Sequence, residues 1–213
     1  MKNNEKAVVL LVRHAESYKN LLNVFSNRCD SHEITKLGER QIENLTFFLR
    51  KFSFLKFSVH SDDDIRSYQT AQLISKIMKL NYFPVDLRSI DVGLLKGLSM
   101  EKVKNQFSEI YEKEVLYRSG KLDGYQLEYP KGESVLTFQN KTIETYNHIL
   151  SENFESTPLI ITHQSVIAAI LNFYNRKSER KFHFINLGYC SVSLLNHFQQ
   201  SHSISFINHQ TSI

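Results

Sequence analysis

The sequence predicts an α/β protein, a three-layer α/β/α sandwich with a mostly parallel central sheet, an antiparallel edge and a helical or irregular excursion. Short apolar runs alternate with longer amphipathic segments along most of the chain, as in folds that cover a sheet with helices. The apolar runs are rich in β-branched residues and lack polar alternation, which is typical of parallel strands buried on both faces. Two alternating segments near the C-terminus indicate an antiparallel hairpin.

The first half of the chain contains two predicted strands and two predicted helices. Residues 7–12 form an apolar run that predicts a buried strand, and residues 57–60 predict a shorter one. Thr35 is a suitable cap for a helix with Ile42, Leu45, Phe48, Leu49 and Phe52 on one side. The next helix has a continuous apolar stripe of Thr70, Leu73, Ile74, Ile77 and Met78.

The second half continues this alternation after a less regular stretch. A long helix is expected to begin near Glu133, followed by a buried strand at 158–162 and an interior helix at 166–171. Residues 191–195 and 203–207 are the hairpin strands. Between residues 94 and 132 the periodicity fades, and the segment is either a surface excursion or a lid over a ligand site. Its aromatic and basic residues include Tyr111, Tyr117, Arg118, Lys121, Tyr125 and Tyr129.

Length and composition narrow the class of protein. A chain of 213 residues without a linker or repeat predicts one domain over residues 1–213, with the excursion at about 94–132. The apolar run at 7–12 is far shorter than the about 20 residues of a membrane span, so we expect a cytoplasmic protein without a membrane partner. Cys29 and Cys190 are too few for a disulfide framework or a four-cysteine metal site. The net charge of +4 is scattered, so no nucleic-acid partner is expected.

Cationic and polar residues follow two of the buried strands. Arg13 and His14 come directly after the first, and His163 after the second. Because ligands of open α/β sheets bind beyond the carboxyl ends of the strands, these side chains are expected to face the same site. Arg66, just before the striped helix, is a third candidate cation. Taken singly, each is more often structural, but together they predict a strongly cationic pocket for an anion such as a phosphate or a carboxylate.

The residues next to these cations are candidates for substrate binding. Gln164 and Ser165 open the helix after His163, where backbone N–H groups favour a phosphate or carboxylate. Glu16 and Ser17 follow His14 closely, and Asn20 lies three residues after Ser17. No HExxH or similarly spaced ligand set occurs, so neither a metal nor a cofactor is predicted.

Residues 13–20, Arg-His-Ala-Glu-Ser-Tyr-Lys-Asn, resemble the RHGETxxN signature of the histidine phosphatase superfamily, of the phosphoglycerate mutase-like branch 1 type. Further family segments follow in order, and the resemblance covers about 180 residues. They are 34–41 for LTxxGxxQ, 66–71 for RAxQTA, 87–98 for LxExxxGxxxGL, 130–134 for PxGES and 162–163 for SHG.

The resemblance implies a metal-independent phosphatase with a phosphate-containing substrate, either a phosphorylated small molecule or a phosphoprotein. It makes His14 the nucleophile that carries the phosphoryl group as phosphohistidine, with Arg13, Arg66 and His163 as the clamp on the phosphoryl oxygens. Asn20 and the backbone after His14 would complete the cradle. Two alternatives remain open: a phospho-ligand binding or regulatory module, and a phosphoglycerate mutase-type phosphotransferase.

One departure from the family pattern affects the proton donor. Aligning Gly93 and Gly97 places Ser89 where the family has a glutamate, and a serine hydroxyl cannot act as a general acid near neutral pH. Asp91 could take the role, because in an extended segment it points to the same side as residue 89. Otherwise the substrate has a good leaving group, or the protein binds its ligand without rapid turnover.

A second departure is an insertion before Arg66, within the run Asp62-Asp63-Asp64. Three carboxylates near a phosphate pocket would repel the substrate unless they point outward. We therefore expect a solvated turn, with a smaller possibility that one of them supplies the proton.

Overall fold

The computed structural model of the chain describes residues 7–25, 32–152, 155–175, 181–198 and 201–211. One six-stranded sheet contains β1 (Ala7–Arg13), β2 (Phe57–Ser61), β3 (Tyr82–Pro84), β4 (Thr157–Thr162), β5 (Val192–Phe198) and β6 (Ser201–His209). The α-helices of these ranges are α1 (Tyr18–Leu21), α2 (Lys36–Leu49), α3 (Ile65–Met78), α4 (Met100–Gln106), α5 (Ser108–Arg118), α6 (Val135–Glu152) and α7 (Gln164–Tyr174).

The sheet is parallel over four strands and antiparallel at one edge. Its order is β3-β2-β4-β1-β5-β6. The neighbours β3–β2, β2–β4 and β4–β1 pair in parallel, and β5 pairs antiparallel with both β1 and β6. Arg13 is level with Thr162, and Ser61 with Ile161, so β1, β4 and β2 end at the same edge. The predicted mostly parallel sheet with an antiparallel edge is confirmed.

Helices cover both faces of this sheet, because the central strand β1 is apolar on both sides. Val9 and Leu11 pack into one core cluster with α6 and α7. Leu10 and Val12 pack into a second cluster with α2 and α3. All four side chains are fully buried, which explains the absence of polar alternation. The three-layer arrangement is confirmed.

The local signals for the helices also hold. Thr35 caps α2, since its hydroxyl accepts the N–H of Gly38 at 3.0 Å. Helix α7 is buried on most sides from Val166 to Leu171, as expected of an interior helix. The sequence analysis missed β3, which is short, largely exposed and ends in a proline, and α1, which has a single turn.

The excursion between residues 94 and 132 is helical for much of its length. It contains α4 and α5, and Val103, Ile110 and Leu127 anchor it to the cluster that includes α6 and α7. On α5, Val115 and Leu116 remain more than 40% exposed while Ile110 is buried, so the apolar residues are spread around the helix. Without a single apolar stripe, the sequence periodicity could not reveal this helix.

In the described part of the chain, no helix is long and apolar enough to cross a membrane. Cys190 is a buried free thiol, and Cys29 lies outside the described residues.

The segments 87–98 and 130–134 pack backbone against backbone, with a glycine at the contact. The carbonyl of Pro130 accepts the N–H of Leu94 at 2.8 Å, and the carbonyl of Asp91 accepts the N–H of Glu133 at 3.0 Å. Gly93 has φ +54°, and a Cβ there would lie 2.1 Å from the oxygen of Pro130. The contact therefore requires glycine for two reasons, backbone angle and space.

Replacing Gly93 with alanine is expected to destabilise the protein more than the same change at Gly97. Gly97 also has a positive φ, +75°, but no atom lies within 4 Å of its hypothetical Cβ. The Gly97→Ala variant should lose only the backbone term of about 1–2 kcal/mol. The Gly93→Ala variant should lose about 1–3 kcal/mol more through overpacking. Urea denaturation measures both, and equal losses would show that the contact is not tight.

Candidate active site

His14 lies just beyond the end of β1, at the carboxyl edge of the sheet. Its backbone N–H donates to the carbonyl of Thr162 at 2.9 Å, which ties it to the end of β4. Its ring Nδ1 lies 2.7 Å from the carbonyl oxygen of Ala15. Because a carbonyl can only accept, Nδ1 carries the proton, and a neutral ring has its lone pair on Nε2. The side chain keeps 3% of its surface exposed.

The other three predicted cationic groups surround this ring. The His163 ring lies 5.3 Å from that of His14, edge to face. Burial lowers the pKa of His14 well below 6.5, and the nearby charges of His163, Arg66 and Arg13 lower it further. The imidazole is therefore neutral at neutral pH, the state in which Nε2 can attack.

Arg13 is fixed in place from two sides. One of its Nη nitrogens donates to the carbonyl of Leu187. The guanidinium also stacks on Tyr189, with Cζ 4.0 Å from the ring centroid, a cation–π contact. Both partners come from the segment that leads into β5. This segment therefore orients Arg13, the last residue of β1.

The expected solvated acidic turn is wrong for Asp62 and Asp64. Asp62 is 1% exposed, and its Oδ2 lies 2.9 Å from Nε2 of His163. Asp64 caps α3, is buried, and pairs with Nη2 of Arg66 at 2.9 Å. Only Asp63 is solvated, in an exposed pair with Arg88 at 3.2 Å. The inward carboxylates do not form a repulsive surface, because Asp64 pairs with Arg66 and Asp62 lies against the ring of His163.

Burial is the main influence on Asp64. It raises the pKa of this carboxyl above the usual 3.8, and the negative charge of Asp62 adds to the effect, whereas His163 and Arg66 lower the pKa. The Asp62 carboxylate is held separately: its Oδ1 accepts the Asp64 N–H at 3.1 Å and the hydroxyl of Ser67. The two acids therefore lie in a connected, buried network with the clamp residues.

The loop after His14 is held by side chains. The N–H of Ala15 donates to Oγ1 of Thr70 at 3.1 Å, and the N–H of Glu16 donates to Gln41 at 2.9 Å. Ser17 donates both its N–H and its hydroxyl to Oδ1 of Asn20. These bonds shape the loop, so the backbone after His14 meets protein acceptors rather than an open anion site.

A cavity of about 310 Å³ begins beside the clamp. Arg13 and Tyr189 form part of its wall, and the ring of Tyr189 lies 6.1 Å from that of His14. Among the predicted substrate-binding residues, Asn20, Gln164 and Ser165 line it. Glu16 and Ser17 are not in its described lining, and Glu16 instead accepts the hydroxyl of Thr35 at 2.8 Å.

Residues of the excursion close the cavity on the other side. They include Glu114, Tyr117, Arg118, Leu127 and Tyr129. A larger cavity of about 1200 Å³ lies beside β2, β3 and the end of α6, and none of the predicted site residues is in its described lining. Within the described ranges, no group of three or more His, Cys, Asp or Glu side chains is placed to hold a metal ion.

The two candidates for the missing acid are in different places. Ser89 is buried and lines the cavity. Oδ1 of Asp91 accepts the N–H of Gly93 at 2.8 Å and lies 2.8 Å from Nζ of Lys96. In the described lining of the cavity Asp91 is absent, although its neighbours Ile90 and Val92 are present. The Asp91 carboxylate is therefore held against Gly93 and Lys96, whereas Ser89 lies in the cavity wall.

Sequence reasoning did not identify Thr70 and Tyr189 as site residues. Thr70 was assigned to the apolar stripe of α3, yet its hydroxyl accepts from Ala15 and donates to the carbonyl of Arg66 at 2.7 Å. Tyr189 lies in an irregular segment without a pattern. A threonine four residues after a candidate clamp arginine was the available signal for the first; nothing local marked the second.

Comparison with known proteins shows the family and the fold. Residues 9–210 match the family model described as histidine phosphatase superfamily (branch 1). The chain belongs to this superfamily. A curated superfamily relative, the 2,3-bisphosphoglycerate-dependent phosphoglycerate mutase of Thermoplasma acidophilum, is 25% identical over 189 residues, which are 89% of this chain and 86% of the relative.

Several solved structures share the fold. The phosphoserine phosphatase of Entamoeba histolytica, in complex with phosphoserine, has a TM-score of 0.77 at 18% identity and covers 97% of this chain and all of its own. The mycobacterial glucosyl-3-phosphoglycerate phosphatase has a TM-score of 0.79 at 15% identity, covering 96% of this chain and 99% of its own. Phosphoglycerate mutases are thus among the curated relatives, and phosphatases are among the solved structures that share the fold.

The lowered pKa of His14 predicts a pH-dependent loss of stability. In the unfolded chain this imidazole takes up a proton near pH 6.5, whereas the native ring stays neutral to lower pH. Stability is therefore unaffected above that value and falls as pH decreases below it, by at most about 1.4 kcal/mol per pH unit. The His14→Gln variant should lose this slope.

Urea denaturation between about pH 5 and pH 8 measures the difference between the two proteins. His197, with a pKa lowered to about 4 mainly by burial, contributes the same slope to both and cancels. Equal slopes would mean that folding does not lower the pKa of His14.

Proposed function

We propose that this protein is a metal-independent phosphatase that hydrolyses phosphomonoesters through a phosphohistidine on His14. The observation that carries the proposal is the state of this ring. Its Nδ1–H is bound to the carbonyl of Ala15, which directs the Nε2 lone pair away from that contact, among Arg13, Arg66 and His163. A neutral nucleophile within a cationic cluster suits attack on a dianionic phosphate.

The reaction has two displacements. Nε2 of His14 forms a bond to phosphorus, and the ester P–O bond breaks with its electron pair on the leaving oxygen. Water then attacks phosphorus, the P–N bond breaks and returns its electron pair to Nε2, and the water proton passes to solvent. Arg13, Arg66 and His163 balance the charge on the phosphoryl oxygens in both steps, the main requirement of phosphoryl transfer.

The superfamily relatives support phosphoryl-transfer chemistry, and Ser89 supports hydrolysis of a particular kind of ester. An alkyl phosphate needs a proton donor for its leaving oxygen, and losing a positioned acid typically reduces the rate by about 10²–10⁴-fold. In this site the position that aligns with the family glutamate is a serine in the cavity wall. We infer that turnover is efficient only where the leaving group departs without a proton.

Removing the nucleophile is the direct test of this activity. The His14→Ala variant should lose at least about 10³-fold in turnover of an aryl phosphate, whereas EDTA should leave the wild-type rate unchanged. A rapid acid quench with labelled substrate should trap acid-labile phosphoprotein in the wild type only. Undiminished turnover in the variant would contradict the proposal.

Asp62 is expected to support turnover by positioning His163. Replacing Asp62 with asparagine removes the charge 2.9 Å from Nε2 of His163 and should reduce kcat/KM by about 10–100-fold through misplacement of the clamp. Asp63 is the matched control, because it lies one residue further on and is solvated. The Asp63→Asn variant should keep the wild-type kcat/KM, and equal effects at both positions would exclude a positioning role. Steady-state kinetics with one aryl phosphate measures all three proteins.

The two other candidate functions have separate signatures. A phospho-ligand binding module, favoured by Ser89, would bind phosphate or phosphoesters tightly and turn over none of them. A mutase, favoured by the curated relatives, would interconvert 2- and 3-phosphoglycerate without net release of phosphate. Measuring phosphate release beside isomer exchange separates all three.

A further inference from the structure

The cavity next to His14 has several aromatic side chains in its wall beyond the clamp, which indicates what kind of leaving group it accepts. Its wall carries the aromatic rings of Phe25, Tyr117, Tyr129, Phe182 and Phe184, besides Tyr189 at the clamp. A volume of about 310 Å³ is at the lower end of the range for pockets that hold small ligands, about 300–1,000 Å³. The space suits a compact group with an aromatic ring.

The aromatic residues of the wall form a connected cluster rather than isolated contacts. The ring of Tyr117 lies 5.5 Å from that of Phe184, edge to face, and 6.4 Å from that of Phe182. Burial raises the pKa of Tyr117 and of Tyr129, so both phenols stay neutral. Such a wall offers ring faces and edges to another aromatic ring, contacts worth more than the buried area alone.

The charges of the cavity favour one phosphate and disfavour a second anion at the far end. Two cationic residues line the cavity near His14 in the chain: Arg13, a clamp residue at the end of β1, and Lys19 on α1. At the far wall, the buried Glu114 accepts the hydroxyl of Tyr129 at 2.6 Å and pairs with Nε of Arg118 at 2.7 Å. A second phosphate or a carboxylate there would meet a carboxylate whose cationic partner is already engaged.

The serine at the acid position points to the same class of ester by separate reasoning. A phenolate is the conjugate base of an acid with pKa about 10, as in tyrosine. An alkoxide derives from an alcohol whose pKa is close to that of water, about 15.7. The aryl oxygen therefore departs without a proton donor, and Ser89 costs such a substrate little. Wall and acid position thus favour the same ester.

We propose that the protein hydrolyses aryl phosphate monoesters, with the aromatic ring of the leaving group held in this cavity against Tyr117, Phe182 and Phe184. This inference rests on the proposed phosphatase activity. Nε2 of His14 attacks phosphorus, and the P–O(aryl) bond breaks with its electron pair on the phenolate oxygen. The phenolate takes its proton from solvent after release, and water hydrolyses the phosphohistidine as described above.

Substrate comparison is the first arm of the test. Phenyl phosphate and 1-naphthyl phosphate should exceed phosphoserine, glycerol 3-phosphate and 3-phosphoglycerate in kcat/KM by at least about 10²-fold, the effect of a general acid. Free phosphotyrosine and a phosphotyrosine peptide distinguish a small-molecule source of the aryl ester from a protein source. A preference for any of the alkyl esters would overturn the proposal.

The second arm separates the cavity from the leaving group. The Phe184→Ala variant removes one wall and should reduce kcat/KM for 1-naphthyl phosphate by about 10-fold, mainly through KM. Its rate with acetyl phosphate, which has a good leaving group but no ring, should fall by a much smaller factor. The Phe54→Ala variant, in which the lost ring is 78% exposed and outside the described cavity lining, should match the wild type on both substrates. If Phe184→Ala affects acetyl phosphate equally, the ring-binding role is refuted.

The third arm introduces the missing acid. The Ser89→Glu variant should raise alkyl phosphate turnover and narrow the aryl-to-alkyl ratio by about 10-fold or more. An unchanged ratio would show that the acid position does not set the preference. His14-dependent turnover of acetyl phosphate without an aryl preference would overturn this inference alone, whereas no turnover of any substrate would overturn the proposed function as well.

Discussion

The hydrogen bond from the N–H of His14 to the carbonyl of Thr162 joins β1 and β4 at the point where both strands end. These strands are buried on both faces, so their side chains cannot move without disturbing the core. Each strand delivers a histidine to the same edge, and their rings come within 5.3 Å. The geometry of the candidate site is therefore a consequence of the packing of the sheet.

Charge balance is the second constraint on the site. Arg66 is 2% exposed, and an isolated buried cation is costly by several kcal/mol before any ligand arrives. Asp64 pairs with it, and Asp62 lies against His163. The acids stabilise the clamp in the absence of phosphate. These pairs bury Asp62 and Asp64, so that only Asp63 of the segment 62–64 is exposed to solvent.

Much of this arrangement could be predicted from the sequence, and the failures have identifiable physical causes. The apolar runs that end in Arg13-His14 and His163 were sufficient to predict which edge of the sheet carries the site, because buried parallel strands have a strong local pattern. The contact of Asp62 with His163 joins residues about a hundred positions apart, which no local pattern contains. Asp91 was placed beside Ser89 by assuming an extended chain, whereas its carboxylate is bonded to the N–H of Gly93 and to Lys96. Helix α5 lacked an apolar stripe, so its presence was hidden.

Thr70 links two parts of the site that are distant in the chain. Its hydroxyl accepts from the loop after His14 and donates to the carbonyl of Arg66, one turn earlier on α3. Helix and loop are thus coupled through a single oxygen atom. A displacement of α3 as a whole would therefore move Arg66 and the loop after His14 together. The distance between Arg66 and His14 is thereby maintained when the helix shifts.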